Sequence, residues 1–228
     1  MDLTATQRQL IERTINAVET GTPDGDYGAI VVYADGPHDI RQITYGRAQT
    51  TEYGNLRELV RMYVDAGAAY SADLAAYAER VGSVALTDDA QFRRLLRDAG
   101  RRDPAMRRIQ DRFFEKRYFR PAMAWADANG FVLPLSALVI YDSFIHSGGI
   151  LWLLRQRFDE NPPALGGDER TWISEYVRVR HAWLAAHPRP IVRRTTYRTD
   201  AWRRQIAKDN WDLSQLPLRV NGIDVTPG

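Results

Sequence analysis

Thr4-Ala5-Thr6-Gln7 and, a dozen residues on, Asn16-Ala17-Val18-Glu19-Thr20-Gly21 bound the stretch around which the chain is organised. Thr4 and Gln7 form a Ser/Thr-x-x-Glu/Gln box, in which each side chain satisfies the other's free backbone N–H. Leu10, Ile11, Ile15 and Val18 recur at helical spacing, so one face is apolar. Gly21 tolerates the left-handed backbone that ends a helix. Glu19 lies in the last turn, where the negative end of the helix dipole disfavours its ionised form. A carboxyl that keeps its proton at the edge of a cleft is a candidate general acid. Beyond it, 29–33 (Ala-Ile-Val-Val-Tyr) reads as a strand, Asp35-Gly36-Pro37 as a turn, and 39–45 as the partner strand. If this hairpin folds back over the helix end, Glu19 and Asp39 face each other across a groove, the arrangement that glycosidic cleavage requires. Spacing alone leaves open that both are solvated surface acids.

A chain of 228 residues with 44% hydrophobic content fits one large domain, or two small lobes sharing a core. The net charge of +2 demands neither a nucleic-acid nor a membrane partner. Arginine pairs at 93–94, 101–102, 107–108 and 203–204 are interleaved with acids on helices and read as solvated faces. There is no cysteine, hence no disulfide framework or thiol nucleophile. The four histidines are scattered, without metal-ligand spacing. No apolar run reaches the roughly 18 residues of a spanning helix. The longest, 131–145, is interrupted by Pro134, Ser136, Asp142 and Ser143. No signal peptide precedes the capping box, which fits a cytoplasmic protein or a mature domain without its leader.

Past Gly54 the chain turns helical. Leu56, Leu59, Val60 and Tyr63 form one stripe, 71–81 is Ala-rich, and Thr87-Asp88-Asp89-Ala90 caps a helix that ends at Gly100. Asp103-Pro104 opens a long bridging helix that Pro121 should kink or split before Gly130. The most apolar helix, 135–145, should be central to the core. Asp168-Glu169 begins another helix, Thr199-Asp200 the last, and the tail after Leu218 reads as irregular.

Several segments, in order, resemble the glycoside hydrolase family 46 chitosanases, a lysozyme-like branch. Residues 16–21 are similar to the family's catalytic-glutamate helix end. Asp39-Ile40-Arg41-Gln42-Ile43-Thr44-Tyr45-Gly46 is similar to its Asp-Gly-Arg-Gly-Tyr-Thr-Gly-Gly stretch, with Asp, Arg and Thr at the same offsets. Gly54-Asn55-Leu56-Arg57-Glu58-Leu59-Val60 resembles its Gly-Asp-x-x-Glu-Leu-Val helix start. Tyr141-Asp142, Gly166-Gly167-Asp168-Glu169, Arg198-Thr199-Asp200 and Asn210-Trp211-Asp212-Leu213 match further on, so the likeness spans almost the whole chain.

The resemblance implies a mostly helical α+β, lysozyme-like two-lobed fold: a single hydrolase domain over 1–228, with a small hairpin or sheet beside the catalytic helix. It implies an endo-acting, inverting chitosanase, with Glu19 as general acid, Asp39 as general base and Thr44 helping to hold the water. Arg41, Tyr45, Asn55 and His146 would contact substrate. Asp142, Arg180 and Arg198 would form a buried charge network behind Glu19. The expected partner is polysaccharide alone, bound by a monomer without metal or cofactor, and the expected location is extracellular. Asn55 departs from the family's acid and offers a glucosamine ammonium no charge attraction. Ile40 and Gln42 replace glycines, which stiffens the hairpin. Asp24, Asp26, Asp35 and Glu52 are candidates for the missing negative field, and Asp35 is the fallback base. A hydrolase of peptidoglycan or partly acetylated chitin/chitosan, and a non-catalytic glycan-binding module, are the alternative readings.

Overall fold

The computed structural model of the chain describes residues 1–47 and 49–228. In order they form α1 (Ala5–Thr20), β1 (Ile30–Ala34), β2 (Arg41–Tyr45), β3 (Thr50–Thr51), α2 (Leu56–Asp65), α3 (Ser71–Ala78), α4 (Ala90–Arg102) and α5 (Pro104–Phe114). Then come α6 (Arg120–Ala128), α7 (Pro134–Ser147), α8 (Trp152–Arg155), α9 (Glu169–Ala185), α10 (Pro190–Arg193), α11 (Thr196–Ala207), β4 (Leu218–Val220) and β5 (Ile223–Val225). The chain is mostly helical with small antiparallel sheets, as expected for the α+β class. It divides into two compact units, one of Met1–Pro23 with Lys116–Gly228, the other Asp24–Glu115. Among the described residues no helix is long and apolar enough to cross a membrane.

In the first unit, α1 starts at the capping box. The Gln7 N–H donates to Thr4 Oγ1 at 3.2 Å, and the Thr4 N–H to Gln7 Oε1 at 3.0 Å. It ends at Gly21, whose φ of 74° lets its N–H turn back to the Ala17 carbonyl at 3.1 Å. Pro134 opens α7, and every residue from Pro134 to Ser143 is buried, as a helix that is apolar all round must be. Asp168 caps α9 by accepting from the Thr171 N–H at 2.8 Å. The break expected at Pro121 is a π turn over Glu115–Phe119, between α5 and α6. Pro121 lacks an N–H, and its ring would clash with the carbonyl four residues back in a regular helix. The wider turn ahead of it removes that conflict.

The second unit carries the sheet β1-β2-β3, with β2 in the middle. Val31 lies opposite Thr44, and Thr44 opposite Thr51. The partner strand begins at Arg41 rather than Asp39, because Asp39 ends a short 3₁₀ turn, Pro37–Asp39. Helices α2, α4 and α5 bury Leu59, Val60, Phe92, Leu96, Ile109 and Phe113 between them.

The tail after Leu218 is regular, contrary to the reading from sequence. It is the hairpin β4-β5, turned by Asn221 (φ 48°) and Gly222 (φ 83°), the paired left-handed residues of the tightest hairpin turn. The hairpin packs on α1 and α11.

Gly100 in α4 is fixed by a close approach. A Cβ there would lie 2.1 Å from the Tyr27 carbonyl oxygen. Gly100→Ala should therefore lower stability by about 1–3 kcal/mol, as overpacking does, although alanine is the better helix former. A urea midpoint equal to or above that of the wild type would show that the Tyr27 backbone is not the constraint.

Candidate active site

The chemistry-bearing residues fall into one group in each unit. In the first unit the centre is Asp142 of α7, with 0% exposure. A carboxylate on so apolar a helix is very costly unless paired. Its Oδ2 accepts from Arg180 Nη1 of α9 at 2.5 Å and from Trp202 Nε1 of α11 at 3.2 Å. Its Oδ1 accepts from Arg198 Nη1 of α11 at 2.7 Å. Burial alone would raise the Asp142 pKa, but the Arg180 and Arg198 guanidinium groups outweigh it and hold the pKa down at about 2.

Arg198 extends the network to the helix end. Its Nη2 donates to Glu19 Oε1 at 3.0 Å. The Glu19 side chain is 11% exposed. Burial pushes its pKa up, Arg198 pulls it down, Asp142 pushes it up again, and the net shift is upward. The direction matches the reading from the helix dipole, but desolvation is the largest cause. The Tyr197 hydroxyl donates to the Val18 carbonyl at 2.8 Å and so ties α11 to the last turn of α1.

His146 lies one turn beyond Asp142 on α7. Burial, then Arg198 and Arg180, push its pKa down to about 2, so the imidazole is neutral. Its Nδ1 lies 3.4 Å from Ser147 Oγ.

In the second unit, Asp39 is exposed at the end of the 3₁₀ turn. His38 (φ 55°) and Asp39 (φ 58°) are consecutive non-glycine residues in the left-handed region. The turn is closed by the Asp39 N–H on the Gly36 carbonyl at 3.0 Å and the Ile40 N–H on Pro37 at 3.2 Å. Arg41 is exposed and donates from both Nη atoms to Asp88, each at 3.3 Å. Thr44 is buried in β2, and its Oγ1 has no hydrogen-bond partner among the described residues. Asn55 precedes α2, its carbonyl accepting from the Leu59 N–H at 3.3 Å.

Tyr45 corrects the sequence reading. It has 0% exposure and donates its hydroxyl to the Leu96 carbonyl at 2.7 Å, so its ring belongs to the core of the second unit and cannot stack on a sugar. Glu52 is corrected too. It is buried and accepts from the Ile43 N–H at 3.0 Å and the Leu86 N–H at 2.7 Å, which makes it a clamp between β2 and the segment before α4 rather than part of a surface field. Asp35 is engaged by Gln42 Nε2 at 2.9 Å.

Glu19, Asp142, Arg180 and Arg198 are thus joined in one network with His146 alongside, while Asp39, Arg41 and Thr44 share one hairpin. Trp202 and Tyr197 carry almost no signal in the sequence. All that marks them is that Trp202 stands four residues after Arg198, on the same helix face. Among the described residues no three His, Asp or Glu side chains converge to hold a metal ion.

The model of glycosyl hydrolase family 46 matches residues 14–218. The chain is 28% identical to the chitosanase of Bacillus subtilis (strain 168), over 94% of this chain and 81% of that one. Its fold superposes on the family 46 chitosanase of Gynuella sunshinyii, solved with chitotetraose, with a TM-score of 0.85 and 26% identity over 100% of both chains. A native chitosanase from Bacillus subtilis gives a TM-score of 0.81 and 25% identity over 97% of both chains. The lysozyme-like fold expected from the motifs is the fold of these neighbours. The chain belongs to glycosyl hydrolase family 46.

Proposed function

We propose that this chain is an endo-acting chitosanase that cleaves β-1,4 linkages between glucosamine units with inversion. The observation that carries the reading is the setting of Glu19. Burial raises its affinity for a proton, and Arg198 Nη2 occupies Oε1, so the acidic proton belongs on Oε2. Glu19 is then neutral before the reaction and becomes a carboxylate 3.0 Å from a guanidinium after it gives the proton to the leaving glycosidic oxygen. Charge that appears only as the bond breaks meets a cation already in place.

Asp39 takes the proton of the attacking water, whose oxygen bonds to the anomeric carbon. Thr44 helps to hold that water, its Oγ1 having no other hydrogen-bond partner among the described residues. Arg41, Asn55 and neutral His146 bind the sugar by hydrogen bonding. Asn55 accepts from an amine without attracting its charge, which weakens binding of fully deacetylated polymer. The reading takes 1–228 as one hydrolase domain, acting as a secreted monomer on polysaccharide. Two carboxyl groups suffice for acid–base hydrolysis, so no cofactor enters it.

Glu19→Gln keeps the shape and the Arg198 contact but has no proton to give. It should lower reducing-end release from highly deacetylated chitosan by about 100-fold or more, the order expected for removing a general acid. Asp39→Asn should do the same. A Glu19→Gln enzyme within ~10-fold of the wild type, a smaller loss than that range, would refute the role. A wild type inert on chitosan but active on peptidoglycan or partly acetylated polymer would change the substrate.

The same carboxyl has a signature in stability. A folded-state pKa above the unfolded value of roughly 4.3 means that its contribution is fully present below that pH and lost as pH rises through the folded pKa. Glutamine does not titrate. The Tm of Glu19→Gln relative to the wild type should therefore rise from about pH 4 to about pH 8, a span that brackets the ordinary glutamate range. A difference that shrinks over that span would mean that Arg198 stabilises the ionised form more than burial opposes it.

A further inference from the structure

Arg180 holds Asp142 with a single nitrogen. Its Nε and Nη2 are buried and have no hydrogen-bond partner among the described residues, so this ion pair is one-pointed. A one-point contact leaves the plane of the Asp142 carboxylate free to rotate about it. The second hold on the carboxylate comes from α11. Arg198 donates to Oδ1 at 2.7 Å and Trp202, one turn along the same helix, donates its indole N–H to Oδ2 at 3.2 Å. Residues four apart on a helix share a face, so the two donors form a fork that grips both oxygens from one rigid element. Trp202 is 1% exposed, so its N–H has no solvent to turn to.

We propose that Trp202 is a positioning residue for the reaction: it fixes the Asp142 carboxylate and, through it, the guanidinium of Arg198 that sets the proton affinity of Glu19. The role rests on reading Glu19 as the acid. Without the indole N–H, Oδ2 keeps only the single Arg180 contact from α9, and the carboxylate can shift toward Arg180 and away from Arg198. Arg198 is then less neutralised by Asp142 and acts more strongly on Glu19. Asp142 itself is one of the groups that raise the Glu19 pKa, and Arg198 is the main one that lowers it. Both changes favour the ionised acid. The charged and titratable groups around the pair are Arg198 and Tyr197 from α11, Arg180 and Tyr176 from α9, and Asp142 and His146 from α7.

Trp202→Phe removes the N–H and keeps most of the ring packing. With chitosan as substrate we expect kcat to fall roughly 10-fold, the order of one hydrogen bond to a charged group, with KM nearly unchanged. The basic limb of the kcat/KM profile, which reports loss of the acid's proton, should move to lower pH. Trp202→His puts a five-membered ring N–H at the same place and should restore part of the loss. The substrate-free arm follows the Glu19 carboxyl by ¹³C NMR, assigned with Glu19→Gln. Its titration should come at lower pH in Trp202→Phe than in the wild type. If the wild type fails on chitosan but the Glu19 titration shifts, the positioning role stands and the substrate reading fails. An unshifted titration with kcat within ~2-fold, far short of one charged hydrogen bond, overturns the role. Should Trp202→Phe not fold, the wild-type Trp202 indole N–H resonance decides. It should move as Glu19 titrates, and a resonance that stays still across that range overturns the role.

Discussion

A carboxylate with no exposure at the middle of the most apolar helix is the constraint on which the first unit depends. Asp142 cannot stay there charged without cations, and it cannot find them on α7 itself. It draws Arg180 from α9, and Arg198 with Trp202 from α11. Three helices distant in sequence are thereby tied to one point, and the hydrophobic core closes around it. The arrangement sets a geometry more than it adds stability. Breaking such a pair leaves a buried charge, which costs about 3–5 kcal/mol, whereas replacing the whole cluster by apolar residues is often neutral.

In the proposed mechanism the same tie serves the chemistry. Arg198 extends one arm to Asp142 and the other to Glu19. An arginine free to neutralise Glu19 completely would depress its pKa and remove the proton that an acid must donate. An arginine too far away would leave the product carboxylate unsupported. Sharing the guanidinium between two carboxyl groups gives the intermediate condition, in which burial still dominates and the Glu19 pKa stays raised. Asp39 is built the opposite way. It is exposed, on a short turn with two consecutive left-handed residues.

Much of this is legible in the sequence because the rules involved are local. The capping box, Gly21 and the Pro134 helix start each act over four residues or fewer, and each appears as read. Asp142 is legible because an acid on an apolar helix must be paired, whatever its partner. Tyr45 misleads because β2 is buried from Gln42 to Tyr45, on both faces, so strand alternation no longer separates core from cleft. Glu52 misleads because its partners are the backbone N–H groups of Ile43 and Leu86, which no side-chain pattern reveals. The hairpin after Leu218 carries an Asn-Gly signal, but its strands are only three residues long and fall below the length at which alternation is visible. Trp202 cannot be assigned from sequence at all, since its role exists only once α7 and α11 meet.

The stereochemistry of cleavage tests the acid–base account most directly. A glucosamine oligomer cut by the wild-type protein, followed by ¹H NMR from the first minutes, reports the anomer formed before mutarotation. Water activated by Asp39 on the face opposite to the leaving group that Glu19 protonates should give the α-anomer first, with the β signal growing in afterwards. An initial β-anomer would mean a covalent glycosyl intermediate and retention, and would contradict Glu19 as the acid and Asp39 as the base of an inverting reaction.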